Sequence, residues 1–102
     1  MKRRFVLAPG AALDLVKIWR FIGKRTNLEM ADRIEGAIRD KIGFLSGNPG
    51  AGHWRHDLTG EPVRFFALYS YLIVYLPHTK PLQVVAILHG HRDVERILRD
   101  RL

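Results

Sequence analysis

Four histidines are grouped around arginines: His53 and His56 flank Arg55, and His89 and His91 flank Gly90 just ahead of Arg92. An imidazole titrates near neutrality, so either pair could give or take a proton, while a neighbouring guanidinium steadies negative charge. The plainer alternative is that His89 closes a strand and His91 caps or hydrogen-bonds the turn that follows. His89-x-His91 would also put two imidazoles on one face of a strand, yet no third and fourth ligand follow at zinc-motif spacing. The chain has no cysteine, which excludes disulfides and thiolate metal sites. Gly50-x-Gly52 follows a helical pattern instead of opening one, so it reads as loop and not as a phosphate cradle. No metal and no cofactor is expected.

The elements that must position these residues fit one domain spanning residues 1–102, with 47% hydrophobic residues to build a single core. Seventeen Lys and Arg against ten Asp and Glu give a formal net charge of +7, which favours anionic partners such as nucleic acid or an acidic protein segment. The basic start Met1-Lys2-Arg3-Arg4 resembles that of a signal peptide, but the apolar run after it is broken by Pro9-Gly10. With no window long enough to span a membrane, the expectation is a cytoplasmic protein with no membrane partner.

Residues 3–7 read as a short first strand ended by Pro9-Gly10. From 11 to about 25, Ala12, Leu15, Val16, Trp19 and Ile22 recur at helical spacing, with Asp14, Lys17, Arg20 and Lys24 elsewhere on the wheel. Leu13 and Phe21 project toward the polar side, where Phe21 beside Lys17 and Lys24 is either accidental or a partner contact. Thr26-Asn27-Leu28-Glu29 has capping-box spacing and predicts a second helix from Asn27 or Leu28. Its stripe is Met30, Ile34, Ala37, Ile38, Ile42 and Leu45, closed by Gly47-Asn48-Pro49-Gly50, and Lys41 within it should lay its stem over the core. Two helices so closely joined predict an antiparallel hairpin.

After Gly52 the pattern becomes β-rich. Residues 53–58, 63–68, 71–76 and 82–88 are candidate strands. The link Tyr69-Ser70 carries no Gly, and Pro77-His78-Thr79-Lys80-Pro81 is a turn. Val94, Ile97, Leu98 and Leu102 mark a short last helix. The predicted fold is α+β, in the order β-α-α-β-β-β-β-α, with an antiparallel sheet packed against the helical hairpin.

That order carries residue patterns similar to those of the ParE/RelE toxin superfamily of type II toxin–antitoxin systems. The first helix resembles theirs in Ala12-x-Asp14-Leu15-x-x-Ile18-Trp19-x-Phe21-Ile22. The second resembles theirs in its Ala31-Asp32-Arg33-Ile34 opening and its Leu45-x-x-Asn48-Pro49-Gly50-x-Gly52 close. The sheet is similar in Val63-Arg64-Phe65 and Tyr71-Leu72-Ile73-Val74-Tyr75. The last strand and its turn are similar in Val84-Val85-Ala86-Ile87-Leu88-His89-Gly90-His91-Arg92-Asp93.

The resemblance implies one of two activities. RelE-like members cut mRNA on the ribosome by activating a ribose 2′-OH against the adjacent phosphate, which needs a base, an acid and positive charge on the phosphate. Arg64, His89, His91 and Arg92 are the candidates for that set. ParE-like members lack the set and poison DNA gyrase. Six residues after Arg92, where RelE-like toxins place a Tyr, this chain has Leu98, on the apolar stripe of the last helix. This departure, Asp93 and the Trp19-x-Phe21-Ile22 helix favour the gyrase inhibitor, with Arg92, Asp93, Arg96 and Arg99 as candidate target contacts.

A cognate antitoxin is the partner implied by either branch. Its C-terminal segment would lay a helix in an apolar groove and add a strand to the sheet edge, at Leu13, Lys17, Phe21 and Lys24 and at Arg55, His56 and Leu58. The remaining alternative is a non-toxic, basic nucleic-acid-binding module, against which stands the lack of a recognition helix or RNP-type motif.

Overall fold

The computed structural model describes residues 4–90 and 92–102. Arg3 of the expected first strand and His91 lie outside them. The element order is β1 (Phe5–Leu7), α1 (Pro9–Arg25), α2 (Leu28–Gly47), a 3-10 turn (Pro49–Ala51), β2 (Arg64–Leu68), β3 (Tyr71–Leu76), β4 (Leu82–His89) and α3 (Val94–Arg101). The α+β class and the succession of helical hairpin, meander and final helix are as expected. Among the described residues no helix is long and apolar enough to cross a membrane.

The four strands lie in the order β1-β4-β3-β2. β2, β3 and β4 are the antiparallel meander, but β1 runs parallel to β4, so the sheet is mixed and not wholly antiparallel. The parallel pairing follows from chain path: α1 and α2 intervene before the meander begins, which leaves β1 free to add at its far edge. Residues 53–58 do not form the expected strand. Only His53 pairs, by an isolated bridge to Phe65, while Leu58 turns inward against the core. A short Arg55–Asp57 ion pair and the bonds from the Leu58 and Thr59 N–H groups to the Arg55 carbonyl bend this segment into a turn.

Both faces of the sheet are covered. On one, Ile73, Tyr75, Val84 and Ile87 meet Leu15 of α1 and Ile38 and Ile42 of α2. On the other, Phe65, Val74, Val85 and Leu88 meet Val94 and Leu98 of α3 together with Val63. β4 serves both because a bulge interrupts its alternation: Val74 lies opposite Ala86 but Tyr75 opposite Val84, so Val85 is an extra residue.

α1 starts at Pro9, whose ring is tolerated in a first helical turn, two residues earlier than the apolar spacing suggests. Its buried residues are Ala11, Asp14 and Leu15, while Val16 is 41% exposed. The helix is therefore rotated from the expected stripe, because Asp14 points inward. At the α2 start the capping residue is Asn27, not Thr26: its side-chain oxygen accepts the Met30 N–H at 2.8 Å, and the Thr26 hydroxyl instead donates to the Ile22 carbonyl. Trp19 Nε1 donates to Asp32 at 2.7 Å and ties the two helices together. The Lys41 ammonium sits 5.0 Å from the Phe44 ring and 5.2 Å from the Phe66 ring, its stem lying over the core as its place in the stripe suggested.

Candidate functional site

A cleft of about 410 Å³ opens between α1 and the ends of β3 and β4. Asp14, Lys17, Ile18 and Phe21 repeat along one side of α1 at three- and four-residue spacing and form one wall. Tyr71, Ile87 and His89 form the other, and Arg92 closes the end. Tyr71 lies opposite His89 in the ladder, and the two rings meet edge to face at 5.8 Å. Burial pushes the Tyr71 phenol above its ordinary pKa. Phe21 is 56% exposed at the cleft mouth, with the Arg25 guanidinium 5.3 Å from its ring centre. The cleft is thus apolar in its depth and cationic at its rim through Lys17 and Arg92.

Asp14 closes the inner side of this cleft and is only 5% exposed. Arg101 of α3 donates to both its carboxylate oxygens, at 2.6 and 2.8 Å, and also to the Val85 carbonyl at 3.2 Å. The Ile87 N–H donates to the same carboxylate at 3.0 Å. Because β1 pairs with β4 only over Leu82–Val84, β4 continues past it with an open edge. The Asp14–Arg101 pair fills that edge at the bulge and fastens α3 to α1. The Asp14 carboxylate holds the Arg101 guanidinium above its ordinary pKa. Gly10 accommodates the pair, since a side chain there would come within 3.1 Å of the guanidinium.

The nuclease candidates are divided between two places. His89 and Arg92 share the cleft, and His91 lies outside the described residues. Arg64 is at the other end of the β2–β3 hairpin, opposite Tyr75, where a strand rise of about 3.3 Å per residue sets it roughly 13 Å from the Tyr71 end. There its guanidinium donates to the Gly52 carbonyl at 2.8 Å and covers the Trp54 ring at 4.3 Å. Trp54 in turn stacks with His56, and His53 forms its backbone bridge to Phe65. Tyr75 completes this second cluster: its hydroxyl accepts the Gly52 N–H at 2.9 Å and donates to the Pro49 carbonyl at 2.7 Å. Arg64 and His53 therefore hold the segment after α2 onto the sheet. Among the described residues no three His, Asp or Glu converge as a metal site would require.

Residues 5–94 match the family described as the ParE toxin of the type II toxin–antitoxin system parDE. The chain belongs to that family. A solved chain of the chromosomal ParDE toxin–antitoxin system from P. aeruginosa has the same fold, with a TM-score of 0.72 and 20% identity over 83% of this chain and 92% of that one. No curated protein sequence matches the chain.

In this ParE-family chain the candidate target contacts have unequal positions. Arg92 reaches the cleft rim. Asp93 caps α3, its carboxylate accepting the Arg96 N–H at 3.2 Å. Arg99 pairs with Glu95 at 3.4 Å on the surface, and Arg96 is exposed with no ion pair among the described residues. The candidate antitoxin contacts fall into two groups on opposite sides of the sheet. Lys17 and Phe21 line the cleft, with Leu13 and Lys24 exposed on the same helix. Arg55 is held by Asp57, which draws the carboxyl pKa down and the guanidinium pKa up, while His56 and Leu58 border a hollow shared with Glu95 and Arg99 of α3.

Sequence reasoning missed Asp14, Arg101, Tyr71 and Tyr75 as positioned residues. Asp14 had one visible signal, an acid between Ala11 and Leu15 on what proved the buried side of the helix. Arg101 had none, because its partner lies 87 positions away.

Proposed function

We propose that this chain is a toxin acting on DNA gyrase and held inactive by a cognate antitoxin. What carries the reading beyond the family is the cleft, apolar within and cationic at the rim, next to an α1 face that exposes Leu13, Phe21, Lys17 and Lys24. This combination suits an amphipathic acidic helix, with Phe21 and Ile18 offering apolar surface and the lysines attracting carboxylates. The antitoxin of this reading docks there. The Arg55–Leu58 turn is a weaker second contact, because Leu58 already packs inward and Arg55 is already paired.

A ribosome-dependent mRNA endonuclease stays as the second reading for one reason. His89, Tyr71, Lys17 and Arg92 share one cleft and could act there as proton-transfer groups and phosphate clamp. Against it, Arg64 is bound elsewhere, and Leu98, where RelE-like toxins place a Tyr, is fully buried against the sheet.

The deciding experiment is a pair of assays on the purified protein, gyrase supercoiling and mRNA cleavage on programmed ribosomes. Blocked supercoiling with accumulated cleaved DNA and intact mRNA is expected. Cut mRNA with unaffected gyrase would replace the first reading by the second.

A further inference from the structure

Tyr69 is held in a backbone conformation that its side chain disfavours, and among the described residues that side chain returns no hydrogen bond or ring contact. Its φ of 55° makes it the one residue other than glycine with positive φ among the described residues. It is the first of only two residues linking β2 to β3, and the second is not in this region. Hairpins with that pattern favour glycine at this position. A tyrosine there costs conformational free energy. The side chain is 64% exposed, and it makes no hydrogen bond or ring contact among the described residues. Strain without internal compensation points outward.

The surroundings specify what an exposed ring could meet. The Gly90 N–H donates to the Ser70 carbonyl at 2.9 Å, which fixes the turn against the end of β4. Two residues beyond Gly90 is Arg92, exposed at the cleft rim, with Lys17 across the cleft. Of the nearby acids, Asp14 in the cleft is engaged by Arg101, and Asp93, which follows Arg92 in the chain, by the first turn of α3. This end of the sheet therefore carries an exposed phenol ring on the β2–β3 turn and two cations at the cleft rim. Nucleic-acid strands are bound by such pairings, bases stacking on aromatic faces while Lys and Arg take the phosphates. The formal net charge of +7 adds attraction at a distance.

We propose that this rim contacts a DNA strand directly: Tyr69 stacks on an unpaired base, and Arg92 and Lys17 neutralise the flanking phosphates. The proposal deepens the gyrase reading by placing the toxin against the DNA of its target complex, and it rests on that reading for its biological setting. The binding itself is measurable without gyrase.

The test is fluorescence anisotropy with a labelled single-stranded 20-mer at two salt concentrations, alongside thermal unfolding. Wild-type protein is expected to bind, more weakly at higher salt. Tyr69→Gly is expected to raise Tm by roughly 3–6 °C, since it relieves the strain, while weakening binding about tenfold by removing the stacked ring. Tyr69→Phe keeps the ring and is expected to bind as wild type. Arg92→Gln is expected to lower the slope of log affinity against log salt by about 0.7, the share of one phosphate contact. A lowered Tm in Tyr69→Gly would make Tyr69 structural and overturn the proposal. Oligonucleotide affinity unchanged in Tyr69→Gly would overturn it too, and lost gyrase inhibition in that same variant would assign the ring to a protein contact. Oligonucleotide binding by a wild-type protein that leaves supercoiling untouched would uphold the rim and remove only the gyrase reading.

Discussion

Two stretches of the same strand treat their polar neighbours in opposite ways. At the bulge of β4, the Asp14 carboxylate receives two bonds from Arg101 and one from the Ile87 N–H, and Arg101 spends a further donor on the Val85 carbonyl. At the end of β4, the cleft rim holds Lys17, Phe21 and Arg92 exposed to solvent, and the β2–β3 turn holds Tyr69 at positive φ with its ring exposed. The first region consumes its chemistry within the fold. The second leaves it available for something else. Among the described residues no buried side-chain nitrogen or oxygen lacks a partner, so the unspent groups are all at the surface. That difference separates residues whose loss should unfold the protein from residues whose loss should only disarm it.

The sharpest way to break the comparison is Arg101→Ala. It leaves the 5%-exposed Asp14 carboxylate with one backbone donor, and removing one partner of a buried pair costs about 3 kcal/mol. Urea unfolding should show a correspondingly lower midpoint, with α3 loosened from β4. Asp14→Asn combined with Arg101→Ala should cost less than the sum of the two single changes, because the groups share one network. Additive losses, or a single loss under about 1 kcal/mol, would mean that the pair is a surface contact and not a clasp.

Next in size is Tyr75→Phe, at the far end of the sheet from the cleft. It removes an acceptor for the Gly52 N–H and a donor to the Pro49 carbonyl, for an expected loss of about 1–2 kcal/mol. This tyrosine also carries a pH signature. Burial raises its phenol above the ordinary value of 10.0, so the folded state holds the proton more tightly than the unfolded chain does. Its contribution is complete below about pH 10 and is lost as the pH rises through the higher, folded value. The variant should therefore lose stability less steeply than wild type in alkali. Parallel curves would show that Tyr75 does not ionise against the fold.

How much of this was legible in the sequence follows the same division. The two helices and the meander were readable because apolar spacing records burial directly: Ile38, Ile42 and Leu45 are fully buried, as their stripe required. The 53–58 segment was misread because its Arg55–Asp57 pair bends the chain, an effect that alternation does not register. α1 was read with its face rotated because Asp14 looks like a solvent residue until Arg101 and the bulge are known. Those partners are long-range, and no local pattern encodes them. The exposed positions Leu13 and Phe21 were visible as breaks in periodicity. Tyr69 was visible only as a turn without glycine, since its φ depends on the two-residue link that the strands impose.

The smallest expected stability change is at the cleft, and it decides whether the rim is really unspent. Phe21 is 56% exposed, so Phe21→Ser should alter the unfolding free energy by no more than about 0.5 kcal/mol. If the α1 face receives the antitoxin helix, the same change removes an apolar anchor, and the complex should dissociate tenfold or more faster. Lys17→Glu with Lys24→Glu should act on the other rate. Both lysines are exposed, so they steer more than they hold, and association should slow severalfold at low salt and little at high salt. An unchanged on-rate at low salt would remove the steering role and leave only the apolar anchor. A large stability loss in Phe21→Ser would go further, because a residue the fold needs for itself cannot be one it keeps for a partner.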